Sequence, residues 1–354
     1  MAINRDFWRD RRVLVTGVTG FKGAWLALLL HELGAKVCGL ADRVPTDPSL
    51  FELASIKNLI EYRQTDIRDL PALQKTLNDF RPEIVLHLAA QALVRPSYQN
   101  PVETYTTNVI GTVNLLEALR LLGDVRALIN VTTDKCYENH EWDWGYREID
   151  RLGGHDPYSN SKACSELVTA AYRNSFFVDG TTAIATARAG NVIGGGDWAA
   201  ERLLPDIFNA WLAEKTVLIR NPKSIRPWQH VLEALHGYLL LAEKLIGEGK
   251  DFAEAWNFGP YEADARNVGW ITAHLQQRLP GLQVQLGDGG GPHEAAYLKL
   301  DCAKARNRLG WHPALRLEEA LDLIIDWYLA YRDRADIAAF SRRQICNFLE
   351  KIDS

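Results

Sequence analysis

Short apolar runs recur along the first half of the chain, and most are followed by a longer stretch with apolar residues at helical spacing. The first lies over 12–16, where Val-Leu-Val turns into Gly-Val-Thr-Gly-Phe-Lys-Gly and then into the helical pattern of residues 24–33. Further strands are expected over 35–41, 62–65, 84–88 and 127–132, with helices over 70–80 and 101–122 among them. A sixth unit joins a helix over 157–176 to a strand over 182–187. Strands alternating with helices imply a parallel sheet covered on both faces, and right-handed crossovers make it doubly wound.

After Asn191 the rhythm breaks at Gly194-Gly195-Gly196-Asp197, and helices over 203–215 and 228–246 mix with isolated short strands. The expected fold is α/β: a doubly wound, Rossmann-like domain over 1–191, then a smaller α/β domain mainly over 192–354, whose segments can exchange back into the first. Residues 287–292 hold four glycines in six positions and read as a mobile loop.

The length of 354 residues agrees with two domains at about 150 residues each. Hydrophobic residues at 47% and charged residues at 24% exclude a disordered or fibrous chain. A formal charge of -5 argues against a nucleic-acid partner, whose footprint is usually basic. The polar, charged start and the absence of any apolar run of roughly 18 residues lead to the expectation of a cytoplasmic protein without a signal peptide or membrane span. Five cysteines form no Cys-x-x-Cys pair and the nine histidines no His-x-x-x-His, so no metal site is expected. The eleven tryptophans serve either large cores or a stacking surface.

Gly17, Gly20 and Gly23 lie where the first strand turns into the first long helix. Glycines at such a turn let backbone amides approach a pyrophosphate at the positive end of the helix dipole. Phe21 and Lys22 complete the loop. Asp42 follows the second strand about 20 residues on, where a carboxylate bonds both ribose hydroxyls and repels a 2′-phosphate, favouring NAD. Arg43, next to it, is the residue that would instead favour NADP, and Asp66 with Ile67 after the third strand is placed to reach adenine.

Tyr158-Ser-Asn-Ser-Lys162 completes a set that resembles the extended short-chain dehydrogenases/reductases across nearly the whole chain. The other matching features, in order, are the three-glycine loop, Leu88-Ala89-Ala90, Asn108 in Thr-Thr-Asn-Val, and Thr132-Thr133. A spacing of four puts Tyr158 and Lys162 on one helix face, where an ammonium is expected to lower the phenol pKa. The resemblance implies NAD as cofactor, Tyr158 as the base, Lys162 on the nicotinamide ribose and Thr133 on the sugar hydroxyl being oxidised. It also implies a homodimer or higher homo-oligomer built through the helices over 101–122 and 157–176.

Asp134-Lys135 then separates the branches of the family. Sugar-nucleotide 4-epimerases carry non-ionising residues at this place, whereas nucleotide-sugar 4,6-dehydratases carry an ionisable pair, usually Asp-Glu, to eliminate water across C5 and C6. The Thr-Asp-Lys-Cys-Tyr-Glu string, with Arg226-Pro-Trp-Gln-His-Val and His293-Glu-Ala-Ala-Tyr-Leu-Lys-Leu, is similar to the dehydratase branch for a cytidine-diphosphate sugar, in which lysine is usual. Which of Asp134 and Lys135 is acid and which base stays open. So do the alternatives of another nucleotide sugar, a 4-epimerase and a non-catalytic NAD sensor. By the same likeness Asn191, Arg202, Arg226 and His293 contact the substrate nucleotide or its phosphates, and Arg95 and Tyr98 border the sugar. Arg220 and Lys223 either join Arg226 or form a solvated face, Trp228 either stacks on a base or packs, and His87 is expected to be a satisfied core histidine.

Overall fold

The computed structural model describes residues 1–287 and 297–354. His293 and residues 288–292 of the glycine-rich segment lie outside the described residues.

Seven parallel strands form the central sheet. They are β1 (Arg12–Thr16), β2 (Lys36–Ala41), β3 (Glu61–Gln64), β4 (Ile84–His87), β5 (Ala127–Val131), β6 (Ala183–Ala189) and a late strand, Ala255–Phe258. Three short two-stranded ribbons use β7 (Asn191–Ile193), β8 (Val217–Ile219), β9 (Ile225–Arg226) and β10 (Trp228–His230). With these placed in chain order, the late strand is β11, and β12 (Arg266–Asn267) and β13 (Val284–Leu286) complete the ribbons. The sheet order is β11-β6-β5-β4-β1-β2-β3.

The helices that precede the sixth strand are α1 (Arg5–Trp8), α2 (Phe21–Glu32), α3 (Leu50–Leu53), α4 (Leu70–Phe80), α5 (Val94–Gln99), α6 (Pro101–Tyr105), α7 (Gly111–Leu122) and α8 (Pro157–Phe176). Beyond it come α9 (Leu203–Leu212), α10 (Val231–Gly247), α11 (Val268–Arg278), α12 (Leu317–Arg332) and α13 (Ile337–Asp353).

Every residue of β4, β5 and β6 is buried, which is why these strands read as mainly apolar runs rather than alternating ones. On one face α4, α7 and α8 pack around Leu14, Val85 and Leu128, and on the other α2 and α10 pack around Val13, Val15 and Ile129. Eight of the eleven tryptophans are buried, so most serve the core.

Three helices differ from the sequence expectation. The helix over 101–122 is interrupted by a π-helical turn at Thr106–Ile110, which turns Asn108 inward to bond Gln91. The helix expected from 228 begins at Val231, because Trp228–His230 pairs with β7 and the His230 ring caps the Leu232 amide. The helix expected to reach 215 ends at Leu212. No described helix is long and apolar enough to cross a membrane.

The chain after residue 191 returns to the sheet. β11 pairs with β6 along Thr186–Ala189, and α10 lies against α2, β5 and β6. A fragment ending at residue 191 would expose the β6 edge and the apolar face under α10. Residues 1–191 alone are therefore expected to lose the cooperative thermal transition of the full chain; circular dichroism melts check this, and a sharp transition in the fragment would contradict it.

Candidate active site

The carboxyl ends of β1, β4, β5 and β6 open into one cleft of 1690 Å³. Strand order reverses between β1 and β4, and open α/β sheets bind ligands at that switch point. At the end of β1, Gly17 takes φ +71° while its amide donates to Leu40 O (2.7 Å). A Cβ at Gly17 would lie 2.7 Å from Ala89 N, and one at Gly23 would lie 2.1 Å from Gly17 O. The glycines thus let the β1 turn, the end of β4 and the start of α2 close on one another. Thr16 locks the same junction, its hydroxyl accepting from the amides of Leu88 and Ala89 (both 3.1 Å) and meeting His87 Nδ1 at 2.7 Å. His87, buried between Thr16 and Thr112, is held near pKa 3 by desolvation, as a satisfied core histidine should be.

Gly17, Gly20, Phe21, Lys22 and Gly23 line the cleft with Leu88, Ala89 and Ala90. Asp42 and Arg43 lie at its far end beside Asp66 and Ile67. Asp42 accepts from the Arg43 amide (2.9 Å), and the Arg43 guanidinium leans toward Asp42 (3.8 Å) and Glu103 (3.5 Å). Asp66 is gripped by Arg68 (2.6 Å), whose hydrogen bonds hold its carboxyl below the usual range. Asn108 is buried behind the cleft, receiving the Gln91 amide (2.8 Å) and donating to Ser161 Oγ (2.9 Å). These glycines let the turn before α2 close tightly enough to present backbone at the start of the helix, and with the acid after β2 in the same cleft they fit a dinucleotide.

Past the end of β5, the 3-10 turn Asp134–Cys136 carries the charged pair. Asp134 is fully buried, accepts from Thr133 Oγ1 (3.0 Å) and leaves Oδ2 without a partner. Lys135 Nζ lies 3.5 Å from Asp134 Oδ1 and 3.5 Å from Asn191 Oδ1. Tyr158 and Lys162 project from α8, which Asp156 caps by accepting the Ser159 amide. Burial pushes the Tyr158 phenol up to about 12, a hydrogen bond with Thr133 pulls it down, and the Asp134 charge pushes it up again. The expectation that Lys162 lowers the phenol pKa does not describe this geometry. Lys162 Nζ donates instead to Val131 O (3.1 Å), and its own pKa falls to about 8 through burial.

On the other wall are Asn191, Arg202 and Arg226, with Arg95, Arg220 and Trp228. Arg202 is already engaged, with Asp197 Oδ2 at 2.7 Å and Val192 O at 3.1 Å. Arg95 pairs with Glu201 (3.3 Å), and Arg226 Nη1 donates to Ile225 O (3.0 Å). Trp228 is buried and donates to Arg266 O (3.1 Å). Tyr98 and Lys223 are absent from the lining, and Tyr98 is exposed on α5. Cys136 is buried and its thiol is pushed up by desolvation, in keeping with packing. Among the described residues no cluster of His, Cys, Asp and Glu could hold a metal.

Two features escaped sequence reasoning. Lys22, expected at the cofactor, also feels Arg202, Lys162 and Lys135, and desolvation followed by these cations brings its pKa to about 7 against the opposing pull of Asp134. Glu166 and Arg188 form an ion pair at 2.8 Å with both side chains 3% exposed, directly behind the Asp134 turn. A charged residue inside the apolar strand Ala183–Ala189, and an acid four residues beyond Lys162, were the available signals.

A glycine cradle feeding a tyrosine–lysine helix across the switch point of a doubly wound sheet is the build of an extended short-chain dehydrogenase/reductase. The chain belongs to the GDP-mannose 4,6 dehydratase family, whose description matches residues 14–324. A CDP-glucose 4,6-dehydratase of Salmonella typhimurium LT2 is 51% identical over 353 residues, covering 98% of each chain. A dTDP-glucose 4,6-dehydratase of Xanthomonas campestris pv. campestris B100 is 29% identical over 338 residues, 89% of this chain and 92% of its own. Among solved structures, a Streptomyces venezuelae dTDP-glucose 4,6-dehydratase with NAD bound superposes with a TM-score of 0.79 at 24% identity, covering 93% of this chain and all of that one. A Thermotoga maritima UDP-glucose 4-epimerase with UDP-glucose gives 0.80 at 23% identity over 90% of this chain and 99% of that one. These two likenesses show the shared fold.

The depressed Lys22 pKa makes a stability prediction. Between about 7 in the folded chain and 10.5 unfolded, the unfolded state binds the extra proton, so this group destabilises fully below pH 7 and progressively less as pH rises. Lys22→Met should therefore raise the melting temperature by a few degrees at pH 6, with the gain shrinking toward pH 10. Thermal melts across that range check it, and a gain independent of pH would contradict it.

Proposed function

We propose that this protein is an NAD-dependent CDP-D-glucose 4,6-dehydratase, converting CDP-glucose to CDP-4-keto-6-deoxy-D-glucose and water. The reading is carried by the 51% identity to the Salmonella enzyme over 98% of both chains, and Asp134 and Lys135 supply the pair of groups that elimination needs. In this reading Gly17, Gly20, Phe21, Lys22, Gly23, Asp42, Arg43, Asp66, Ile67, Leu88, Ala89 and Ala90 hold NAD together with Tyr158 and Lys162, while Asn108, expected to contact it, lies behind the lining and fixes the Gln91 backbone. NAD, when bound, supplies a two-electron acceptor for C4 that is also the donor for the final reduction at C6. Asn191, Arg202 and Arg226 hold the nucleotide diphosphate, and Arg95 borders the sugar. Asp197 must share Arg202 with that anion.

Thr133 and Tyr158 receive the C4 hydroxyl, with Tyr158 as the base for its proton. The Asp134 charge opposes this by pushing the phenol pKa upward. Moving one proton from Lys135 to Asp134 removes that opposition and leaves a neutral amine beside a carboxylic acid. Lys135 then takes the C5 proton, acidified by the C4 ketone, while Asp134 gives its proton to the departing C6 hydroxyl. The original ammonium–carboxylate pair is restored at the end of elimination, so the two groups need no outside proton.

The apolar residues Val102, Ile110, Leu121, Leu167 and Phe176 are exposed on the helical stretch from α6 through α8. This supports a homodimer formed by helices from each copy, and a cytoplasmic enzyme is the simplest setting for it.

Proton NMR of CDP-glucose with protein and NAD in D2O, beside dTDP-, UDP- and GDP-glucose, tests the proposal. A new C6 methyl signal with deuterium at C5 is expected with CDP-glucose; a galacto-configured product or no reaction would overturn it. Lys135→Met should lower product formation at least about 100-fold while C4 oxidation remains visible as reduced nicotinamide absorbance. Unchanged product formation would remove Lys135 from the mechanism.

A further inference from the structure

Thr133, Asp134 and Lys135 stand on a turn with no sheet partner of its own, yet the reaction needs them held to fractions of an ångström. Residues on both sides of this turn are tied to the same buried ion pair. Upstream, Thr132 Oγ1 donates to Glu166 Oε1. Downstream, the Tyr137 hydroxyl accepts from Arg188 Nη1 (2.8 Å), and the guanidinium also lies 4.9 Å over the Tyr137 ring. Arg188 Nη2 closes the circuit on Glu166 Oε2 at 2.8 Å, where Thr186 Oγ1 also donates (2.7 Å).

The circuit is anchored beyond the turn. Tyr137 OH donates to Asn257 Oδ1 on β11 (2.8 Å), and Arg188 Nη1 reaches Glu148 O (3.1 Å). Asn257 Nδ2 in turn holds Tyr146 O (2.8 Å) and Asp301 O (3.1 Å). A buried charge pair held by several hydrogen bonds fixes geometry even where its net contribution to stability is small, and here only Arg188 Nε of the two charged groups lacks a partner. Tyr158 and Lys162 share α8 with Glu166, but the start of that helix also has supports of its own. Ser97 Oγ accepts the Tyr158 amide (3.1 Å), and α8 carries its own cap at Asp156.

We infer that the Glu166–Arg188 pair is a positioning clamp that holds both ends of the Thr133–Lys135 segment and sets the register of Asp134 and Lys135 for elimination, while C4 oxidation, which draws only Thr133 from that segment, depends on it less. Glu166, Arg188, Thr132 and Tyr137 act through their neighbours; none takes a proton in the reaction. The inference rests on the dehydratase reading above.

Thr132→Val and Tyr137→Phe each cut one end of the clamp and leave the ion pair intact, whereas Glu166→Gln weakens its centre. Single turnovers with CDP-glucose and NAD would follow reduced nicotinamide absorbance for C4 oxidation and deuterium entry at C5 for elimination. The expected result is elimination slowed about tenfold by each end variant and about 100-fold by Thr132→Val/Tyr137→Phe together, with C4 oxidation within about threefold of the parent. Reduced nicotinamide should then accumulate in the variants but not in the parent. If both steps slow by the same factor, or neither slows, the clamp is wrong and the pair is only structural. If Glu166→Gln fails to fold, the two end variants decide alone. A parent protein that yields no methyl product with CDP-glucose would instead overturn the dehydratase reading, a failure seen before any variant is made.

Discussion

Parallel strands all end on the same side, and that constraint organises everything else in this molecule. Because β1, β4, β5 and β6 run the same way, the residues that follow them converge on one cleft: Gly17, then Leu88 to Ala90, then Thr132, Thr133 and Lys135 with Asp134 buried among them, then Asn191. A parallel sheet has to be buried on both faces, so these strands are mostly apolar and the polar groups within them, such as Arg188, need buried partners. The return of the chain at β11 covers the β6 edge and brings Asn257 to the back of the catalytic turn.

The charges that result are crowded. Arg202, Lys162, Asp134 and Lys135 all act on Lys22, with Lys135 paired to Asp134 and Asp197 engaged by Arg202. Desolvation and mutual repulsion bring Lys22 to about 7, and burial brings Lys162 to about 8, so the site sits close to exchanging protons near neutral pH. Lys135 Nζ and Asp134 Oδ1 stand 3.5 Å apart within this cluster. Behind them Glu166 keeps its charge although burial alone would raise its pKa, because Arg188 and the hydroxyls of Thr132 and Thr186 more than offset that cost.

Much of this arrangement was legible in the sequence because it depends on short-range patterns. Apolar runs between helical stretches located the first six sheet strands, and the glycine spacing with Asp42 marked the dinucleotide end of the cleft. Tyr158 and Lys162 announced themselves by helical spacing. What escaped needed long-range information. The π-helical turn that directs Asn108 inward has no periodic signature, and β11 is a tetrapeptide, Ala-Trp-Asn-Phe, too short to be told from a helix segment until its partner is known. Arg188 was visible as a charge in an apolar strand, but its partner Glu166 lies on another element. The behaviour of Tyr158 depended on burial and on Lys162 turning to Val131 O, neither of which follows from a spacing of four.

The central claim is that one cleft oxidises C4, eliminates across C5 and C6, and returns to C6 what it removed from C4. Mass spectrometry and NMR of the product from CDP-glucose deuterated at C4, turned over in ordinary water, test it most directly. The account predicts a singly deuterated C6 methyl group and a C4 ketone. Label washed out into solvent, or retained at C4 in an epimerised sugar, would contradict it.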